Sequence, residues 1–158
     1  MGVLYWGFPG ADYVALAIFV IASLTDMLDG KIARKYNLVT DFGKFADPLA
    51  DKMLVTAAML WFVEIGRMPA WALLIVIIRE FAVSGLRMIA SDKGRVIAAG
   101  GSGKVKPAAT LVCIVVMFLH IPGIQDTLNL ICVWIIALTT LYSGVEYFVK
   151  NKDVIASA

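Results

Sequence analysis

The sequence contains few of the side chains that build disulfides, soft-metal sites or nucleic-acid-binding surfaces. It has two cysteines and one histidine, and its 14 basic and 12 acidic residues leave a net charge of only +2. Cys113 and Cys132 lie within apolar runs and form no CxxC pair, so we interpret them as buried apolar side chains. The small net charge gives no argument for nucleic acid as a partner. No basic segment precedes a short apolar core and a cleavage site, so we expect no signal peptide.

Charged residues are scarce as well, and long apolar runs take their place. Charged side chains make up 16% of the 158 residues and hydrophobic ones 61%, and the mean hydropathy is +0.85. Such a composition is typical of a chain that consists mostly of membrane spans. The apolar runs cover residues 13–28, 45–65, 69–89, 107–121 and 128–149. We therefore predict one all-α domain over residues 1–158, a polytopic transmembrane helix bundle of five spans.

The basic residues divide the connections between these runs into two kinds. The first and third connections and the C-terminus are rich in lysine and arginine, whereas the second holds only Arg67 and the fourth holds none. Because basic connections tend to stay on the cytoplasmic side of a membrane, we predict that the basic connections and the C-terminus are cytoplasmic. Five spans then place the N-terminus on the outer side.

Five aspartates lie in and beside the first of these cytoplasmic connections: Asp26, Asp29, Asp41, Asp47 and Asp51. Asp26 and Asp29 are three residues apart, so on a helix they share a face. Asp47 and Asp51 are four apart and also share a face. Four carboxylates on adjoining helices repel one another unless a cation lies between them. With no histidine or cysteine nearby, they favour Mg²⁺, Mn²⁺ or Ca²⁺ over zinc or copper.

The alternative for this stretch is a solvated loop with ordinary acidic and basic residues. We apply that interpretation to Asp41, which we predict to be a turn or N-cap residue outside the site. For the other four aspartates, the helical spacing and the small residues between them argue against a loop. Pro48 leaves two possibilities for the second helix, which either begins near Asp47 or is kinked there.

The stretch also carries glycine, alanine and arginine at fixed positions. It reads D-x-x-D-G-x-x-A-R, then eight residues, then G-x-x-x-D-x-x-x-D. This pattern resembles the signature of the CDP-alcohol phosphotransferases. The segments ARKYNLVTDFGKFADPLADKML, REFAVSGLR, GKVKPA and SGVEYF are similar to those members of the family that make phosphatidylglycerophosphate. The resemblance covers most of the chain and implies transfer of a phosphatidyl group from CDP-diacylglycerol to sn-glycerol 3-phosphate, with release of CMP.

The resemblance implies a role for each matched position. Two metal ions, Mg²⁺ or Mn²⁺, would lie among four carboxylates, those of Asp26, Asp29, Asp47 and Asp51. Asp51 would also be the catalytic base that accepts the proton of the acceptor's hydroxyl group. The cytidine diphosphate pocket would be lined by small residues and one arginine, at Gly30, Ala33, Arg34 and Gly43.

Four further basic residues are candidates for binding the acceptor's phosphate. Arg79 lies near the middle of the third apolar run, where ionisable residues are costly and indicate function. The alternative is a structural pair of Arg79 with its neighbour Glu80. Arg87 lies on nearly the same helix face, and Lys104 and Lys106 follow in the next connection. Arg87 has the alternative role of anchoring the end of a span.

The resemblance also implies an assembly, a homodimer of six-helix protomers in the cell membrane. Residues 1–12 are too short to cross a bilayer, so we expect the first helix of the family to be absent from this sequence.

The motif does not identify the acceptor alcohol, because its residues are expected to contact the CDP group that all donor substrates of the family share. The nearest alternative is the same chemistry with another acceptor alcohol, such as inositol phosphate, serine or phosphatidylglycerol. A membrane prenyltransferase also uses aspartates and Mg²⁺, but with a different spacing and without the G-x-x-A-R continuation. A cation transporter predicts carboxylates near the midplane of several spans, whereas the aspartates of this chain cluster at one face.

Overall fold

The computed structural model describes residues 2–6, 10–35, 41–92, 102–119 and 121–153, and for most of the aspartate stretch it describes the backbone alone. Within those ranges the chain forms helices joined by turns and short irregular segments. A four-residue helix precedes five long ones: α1 Gly2–Tyr5, α2 Ala11–Lys35, α3 Asp41–Glu64, α4 Ala70–Asp92, α5 Ser102–Phe118 and α6 Gln125–Lys150.

Each apolar run of the sequence coincides with one long helix, as predicted. Four of the helices, α2, α3, α4 and α6, have between 23 and 26 residues. At about 1.5 Å per residue they are roughly 35–39 Å long and exceed the ~30 Å hydrocarbon core of a bilayer. With 17 residues, α5 is shorter than that core.

The helices differ from the apolar runs at their polar ends. α2 continues to Lys35, and α3 begins at Asp41 rather than near Asp47. The first possibility for Pro48, a helix start near Asp47, is therefore wrong. An early start is reasonable because the helix dipole favours acidic residues in a first turn.

Composition singles out one of these helices as a membrane span. Among the described residues, Gln125–Lys150 is long and apolar enough to cross a bilayer, and Ala11–Thr25 and Val105–Phe118 are shorter apolar stretches. The adjacent charges Arg79 and Glu80 interrupt the apolar sequence of α4. In its described part the protein is thus all-helical, with one spanning candidate by length and composition.

Arg67 shows that the long helices run up and down. Arg67 lies between α3 and α4. Its Nη2 atom donates a hydrogen bond to Oδ2 of Asp12, at the start of α2, over 3.3 Å. The Nη1 atom of Arg67 donates to the carbonyl oxygen of Met117, near the end of α5, over 3.0 Å. Three helix ends that are distant in the sequence therefore meet, and we call this the Arg67 end of the bundle. α2 ends and α3 begins at the opposite end.

Aromatic side chains also gather at the Arg67 end. Tyr5 of α1 donates to a carboxylate oxygen of Glu64 at 2.6 Å, and this hydrogen bond raises the pKa of Tyr5. Its ring meets Trp61 edge-on, with centroids 5.6 Å apart. Trp71 and Trp134 form a second pair at 5.7 Å. Tryptophan and tyrosine at helix ends are typical of a membrane–water interface.

The main core draws on all five long helices, and three phenylalanines of α2, α3 and α5 lie within it. The ring of Phe118 packs against Phe62 at 4.7 Å and against Phe19 at 6.2 Å. Met59 and Ile114 belong to the same core and are fully buried. Within lipid, where tails are as apolar as these side chains, close packing rather than removal from water stabilises such contacts.

The bundle exposes large apolar side chains on its outer surface and buries several polar ones within its apolar interior. Its interior holds buried polar side chains: Lys106, Thr110, Gln125, Asn129, Thr140 and Ser143. Its outer surface on α4 and α6 exposes large apolar ones: Leu74, Ile78, Phe81, Leu130, Trp134, Leu138, Leu141 and Val145. Polar groups inside and apolar groups outside are expected of helices that face lipid.

One buried amide holds the turn between α5 and α6. The Oε1 atom of Gln125 accepts a hydrogen bond from the N–H of Ile121 at 3.0 Å. Its Nε2 atom donates to Oδ1 of Asn129 at 2.9 Å and to the Met117 carbonyl at 3.4 Å. Because that carbonyl also accepts from Arg67, the turn is tied to the connection between α3 and α4.

Gln125→Leu should lower the free energy of unfolding by about 1–3 kcal/mol, because the buried amide of Asn129 and the partly buried N–H of Ile121 lose their partner. Thermal denaturation in detergent micelles measures this loss. The matched control is Thr127→Ala, an exposed position on the same turn, which should change the free energy by less than about 0.5 kcal/mol. Equal melting temperatures for the two variants would show that the Gln125 amide does not hold the turn.

Candidate active site

The aspartate pattern lies on two consecutive helices. Asp26 and Asp29 belong to the C-terminal half of α2, and Asp47 and Asp51 belong to the N-terminal half of α3. The two helices contact each other, and only residues 36–40 separate them in the sequence. Both halves of the pattern therefore lie at the end of the bundle opposite Arg67.

The helical backbone gives the aspartates the spacing that the sequence predicted. Nine of the predicted site residues have side chains that lie outside the described part of the structure: Asp26, Asp29, Gly30, Ala33, Arg34, Gly43, Asp47, Asp51 and Lys104. Their roles stay predictions. Within the residues that the structure does describe, no group of three or more His, Cys, Asp or Glu side chains is placed to hold a metal ion.

Beside this pattern, the carboxylate of Glu80 collects three basic side chains from three helices. Its Oε1 atom accepts hydrogen bonds from Nη1 of Arg79, at 3.1 Å, and from the ammonium of Lys106 on α5. Its Oε2 atom lies 3.3 Å from the ammonium of Lys52 on α3. Lys52 also donates to the hydroxyl of Ser84, one turn along α4, at 2.7 Å. We call these five residues the Glu80 cluster.

The Glu80 cluster carries more positive than negative charge. Among the described side chains, three cations face one carboxylate, a formal surplus of two positive charges. Its side chains are withdrawn from solvent to different degrees, with 9% exposed for Lys106, 14% for Arg79 and 39% for Lys52. Cations held in a low-dielectric interior are stabilised when an anion approaches them. The cluster is therefore suited to bind an anion.

Arg79 has room and an unused donor. A Cβ atom at Gly144 of α6 would lie 3.3 Å from the Cγ atom of Arg79, so the glycine lets the arginine pass close to α6. The Nε atom of Arg79 is buried and has no hydrogen-bond partner among the described residues. A buried donor without a partner is costly, so an acceptor oxygen supplied by a ligand would be favourable.

The described contacts of Arg87 are with Tyr147 of α6. Its Nε atom donates to the hydroxyl of Tyr147 at 3.1 Å, and its guanidinium lies over the same ring at 5.5 Å from the centroid. Tyr147 itself packs with Val83 and Leu86 of α4. These contacts agree with a residue that anchors the end of α4 and leave its binding role a prediction.

The structure places Arg79 and Lys106 on the same carboxylate, that of Glu80, and their binding of the acceptor stays a prediction. The idea that Arg79 and Glu80 form a self-neutralising pair is incomplete, because two lysines join them. The sequence did not suggest that Lys52 and Ser84 belong to this group of side chains. The four-residue spacing of Glu80 and Ser84 on α4 was a usable signal, whereas nothing in the sequence links Lys52 to Glu80.

Gly144→Ala should give no gain in stability, because its new methyl group would press on Arg79, whose guanidinium is held by Glu80. The matched control is Gly85→Ala, whose added methyl group meets nothing within 4 Å. That control should stabilise α4 by about 0.5–1 kcal/mol through helix propensity. Thermal denaturation of both variants in micelles checks the difference. An equal gain for both would mean that Arg79 does not depend on the space at Gly144.

Comparison with known proteins gives a consistent result. The sequence model of one family, CDP-alcohol phosphatidyltransferase, matches residues 1–142. A Bacillus subtilis protein named CDP-diacylglycerol–glycerol-3-phosphate 3-phosphatidyltransferase is 42% identical over 153 residues, which are 95% of this chain and 79% of that protein. A Rickettsia bellii protein of the same name is 35% identical over 152 residues, or 94% of this chain and 84% of that protein. A Mycobacterium tuberculosis protein named probable phosphatidylglycerophosphate synthase is 35% identical over 140 residues, covering 89% and 66%.

Proposed function

This chain is a member of the CDP-alcohol phosphatidyltransferase family, and from that premise we propose that it makes phosphatidylglycerophosphate. The substrates are CDP-diacylglycerol and sn-glycerol 3-phosphate, and the second product is CMP. The names of the Bacillus and Rickettsia relatives support this choice of acceptor. The structural observation that carries it is the Glu80 cluster, a buried surplus of positive charge next to the helix of Asp47 and Asp51.

In the proposed reaction, a hydroxyl oxygen of glycerol 3-phosphate attacks the phosphorus that bears the diacylglycerol. A new P–O bond forms there, and the P–O bond to CMP breaks, so that CMP leaves with the bridging oxygen. Asp51 takes the hydroxyl proton. Little covalent help from the protein is needed, because positioning and charge stabilisation supply most of the rate of such a transfer.

The four aspartates of α2 and α3 are proposed to hold two divalent ions, Mg²⁺ or Mn²⁺. The donor set fits, because it consists of hard carboxylate oxygens at helical spacing on two contacting helices. Bound there, the ions would neutralise charge on the diphosphate and on the leaving oxygen. Asp26, Asp29, Asp47 and Asp51 would fix their positions.

The cytidine diphosphate is proposed to lie over the small residues of the same two helices. Gly30 and Ala33 follow the aspartates of α2, and Gly43 precedes those of α3. Residues without bulky side chains let a ligand approach a helix backbone closely. Arg34, next after Ala33, offers a planar fork that matches phosphate oxygens.

The acceptor's phosphate is proposed to bind at the Glu80 cluster. Arg79 and Lys106 would contact it directly, with Lys104 and Arg87 contributing from the same end of the bundle. A phosphomonoester carries close to two negative charges at neutral pH, since its second pKa is about 6. That charge matches the formal surplus of the cluster, which a neutral or singly charged acceptor would not balance.

We further propose that the five long helices span the cell membrane and that the site faces the cytoplasm. The outward apolar faces of α4 and α6 and the inward polar side chains support a lipid surrounding. The basic residues near the aspartate end support the cytoplasmic orientation. A homodimer is proposed on family resemblance.

Purified protein should release CMP when it is given CDP-diacylglycerol, glycerol 3-phosphate and Mg²⁺ or Mn²⁺ in mixed micelles. Chelation should stop the reaction, because the aspartates would lose the ions that they hold. CMP release is followed with a panel of acceptors that includes inositol phosphate, serine and phosphatidylglycerol. Faster release with one of these than with glycerol 3-phosphate would refute the proposed acceptor, and release with none would refute the proposed function.

Asp51→Asn should lower kcat by at least about 100-fold while leaving much of the CDP-diacylglycerol affinity, because a general base contributes about 10²–10⁴-fold. The matched control is Asp41→Asn, the same change at the first residue of α3, which we place outside the site. It should keep wild-type turnover. If both variants lose turnover alike, or if Asp51→Asn keeps it, then Asp51 is not the base.

A further inference from the structure

Glu80 joins three helices through one carboxylate. It lies on α4, and it contacts Lys52 of α3 and Lys106 of α5 as well as its neighbour Arg79. We infer that Glu80 is a positioning residue for the acceptor: it holds Arg79 and Lys106 together, at a fixed place relative to the aspartates of α3. This inference rests on the proposed function, in which those two cations bind the acceptor's phosphate.

The first part of the argument concerns α3. Lys52 follows Asp51 directly, and its ammonium lies 3.3 Å from Glu80 and 2.7 Å from the Ser84 hydroxyl. Glu80 and Ser84 occupy successive turns of α4, so both contacts fix how α3 is rotated against α4. Because the helix backbone is rigid, with about 100° between neighbouring residues, the rotation that places Lys52 also sets the direction of Asp51.

The second part concerns the two cations that share Oε1 of Glu80. Arg79 and Lys106 come from different helices, and their charges repel each other. Both donate to the same carboxylate oxygen, which keeps them within reach of one phosphate group. The Lys106 side chain is only 9% exposed, so little water is available to replace the carboxylate as a partner.

The arrangement differs from an ordinary ion pair at the other end of the bundle. There, Asp12 accepts from Arg67 at a similar distance of 3.3 Å, and the pair joins helix ends. In the Glu80 cluster, one carboxylate faces three cations among the described side chains, so it does not neutralise them. A purely structural role would be better served by balanced charges, whereas an unbalanced group prepares the site for an incoming anion.

The decisive comparison is Glu80→Gln against Asp12→Asn, two changes of a partly buried carboxylate to an amide. In micelles, Glu80→Gln should raise the KM for glycerol 3-phosphate about 10-fold, because it weakens the charge-assisted bonds that place Arg79 and Lys106. The KM for CDP-diacylglycerol should stay within about twofold of the wild type, since a residue that acts on one substrate splits the two constants. Asp12→Asn should leave both KM values unchanged. An acceptor KM that stays the same or falls in Glu80→Gln would overturn the inference.

A charge exchange covers the case in which Glu80→Gln fails to fold. The double variant Glu80→Lys with Lys106→Glu keeps the same set of charges on the same two helices, so it should recover the melting temperature. It should not recover the acceptor KM, because the cation and the carboxylate have changed places. Recovery of the wild-type acceptor KM would show that Glu80 and Lys106 serve only as a structural pair.

Binding of inorganic phosphate separates this inference from the proposed function. Phosphate should raise the melting temperature of the wild type, and at the same concentration it should raise that of Glu80→Gln less. If the wild type releases no CMP with any acceptor, the proposed function fails, and the phosphate measurement still judges Glu80. Equal stabilisation of wild type and variant by phosphate, or stabilisation of neither, would overturn the inference.

Discussion

The sharing of one carboxylate by three cations is the interaction on which the aspartate end of this protein depends. Glu80 links α3, α4 and α5 there, whereas the smaller apolar cluster of Val83, Leu86, Ala90 and Tyr147 joins only α4 and α6 among the described residues. The link is costly because it leaves positive charge in a poorly solvated place. Such a cost is reasonable only where a ligand of opposite charge enters, so the same contact that holds the helices also defines what the site can bind.

The two ends of the bundle divide the work. At the Arg67 end, a phenylalanine core, paired tryptophans and the hydrogen-bonded Gln125 hold helix ends together. At the other end, polar groups such as Arg79 Nε are left without partners within the described structure. A rigid end supports a site whose own interactions are incomplete until substrates arrive. The division follows the sequence, because charged residues are concentrated in the first and third connections and are almost missing from the second and fourth.

The number and order of the long helices were predictable from hydropathy, because each apolar run of the sequence forms one helix. The boundaries were less so: α3 includes Asp41 through Pro48, since favourable charge at a helix start outweighs the local preference of residues before proline. The site divides in the same way. The aspartate pattern is local, and helical spacing alone reveals it. The contact of Lys52 with Glu80 joins residues that only packing brings together, and the space that Gly144 gives Arg79 is equally invisible in a one-dimensional pattern.

The placement of opposite charges also bears on how two anionic substrates can share one site. Four aspartates on α2 and α3 would repel a free phosphate dianion, so in the proposed assignment they accept only a diphosphate that arrives with cations. In the same assignment, the Glu80 cluster would attract a dianion without a metal ion. Lys52 lies between the two regions, one residue after Asp51 and in contact with Glu80. Electrostatics would then sort donor from acceptor before any specific contact forms, and would bring the acceptor's hydroxyl group to the side of α3 on which the proposed base lies.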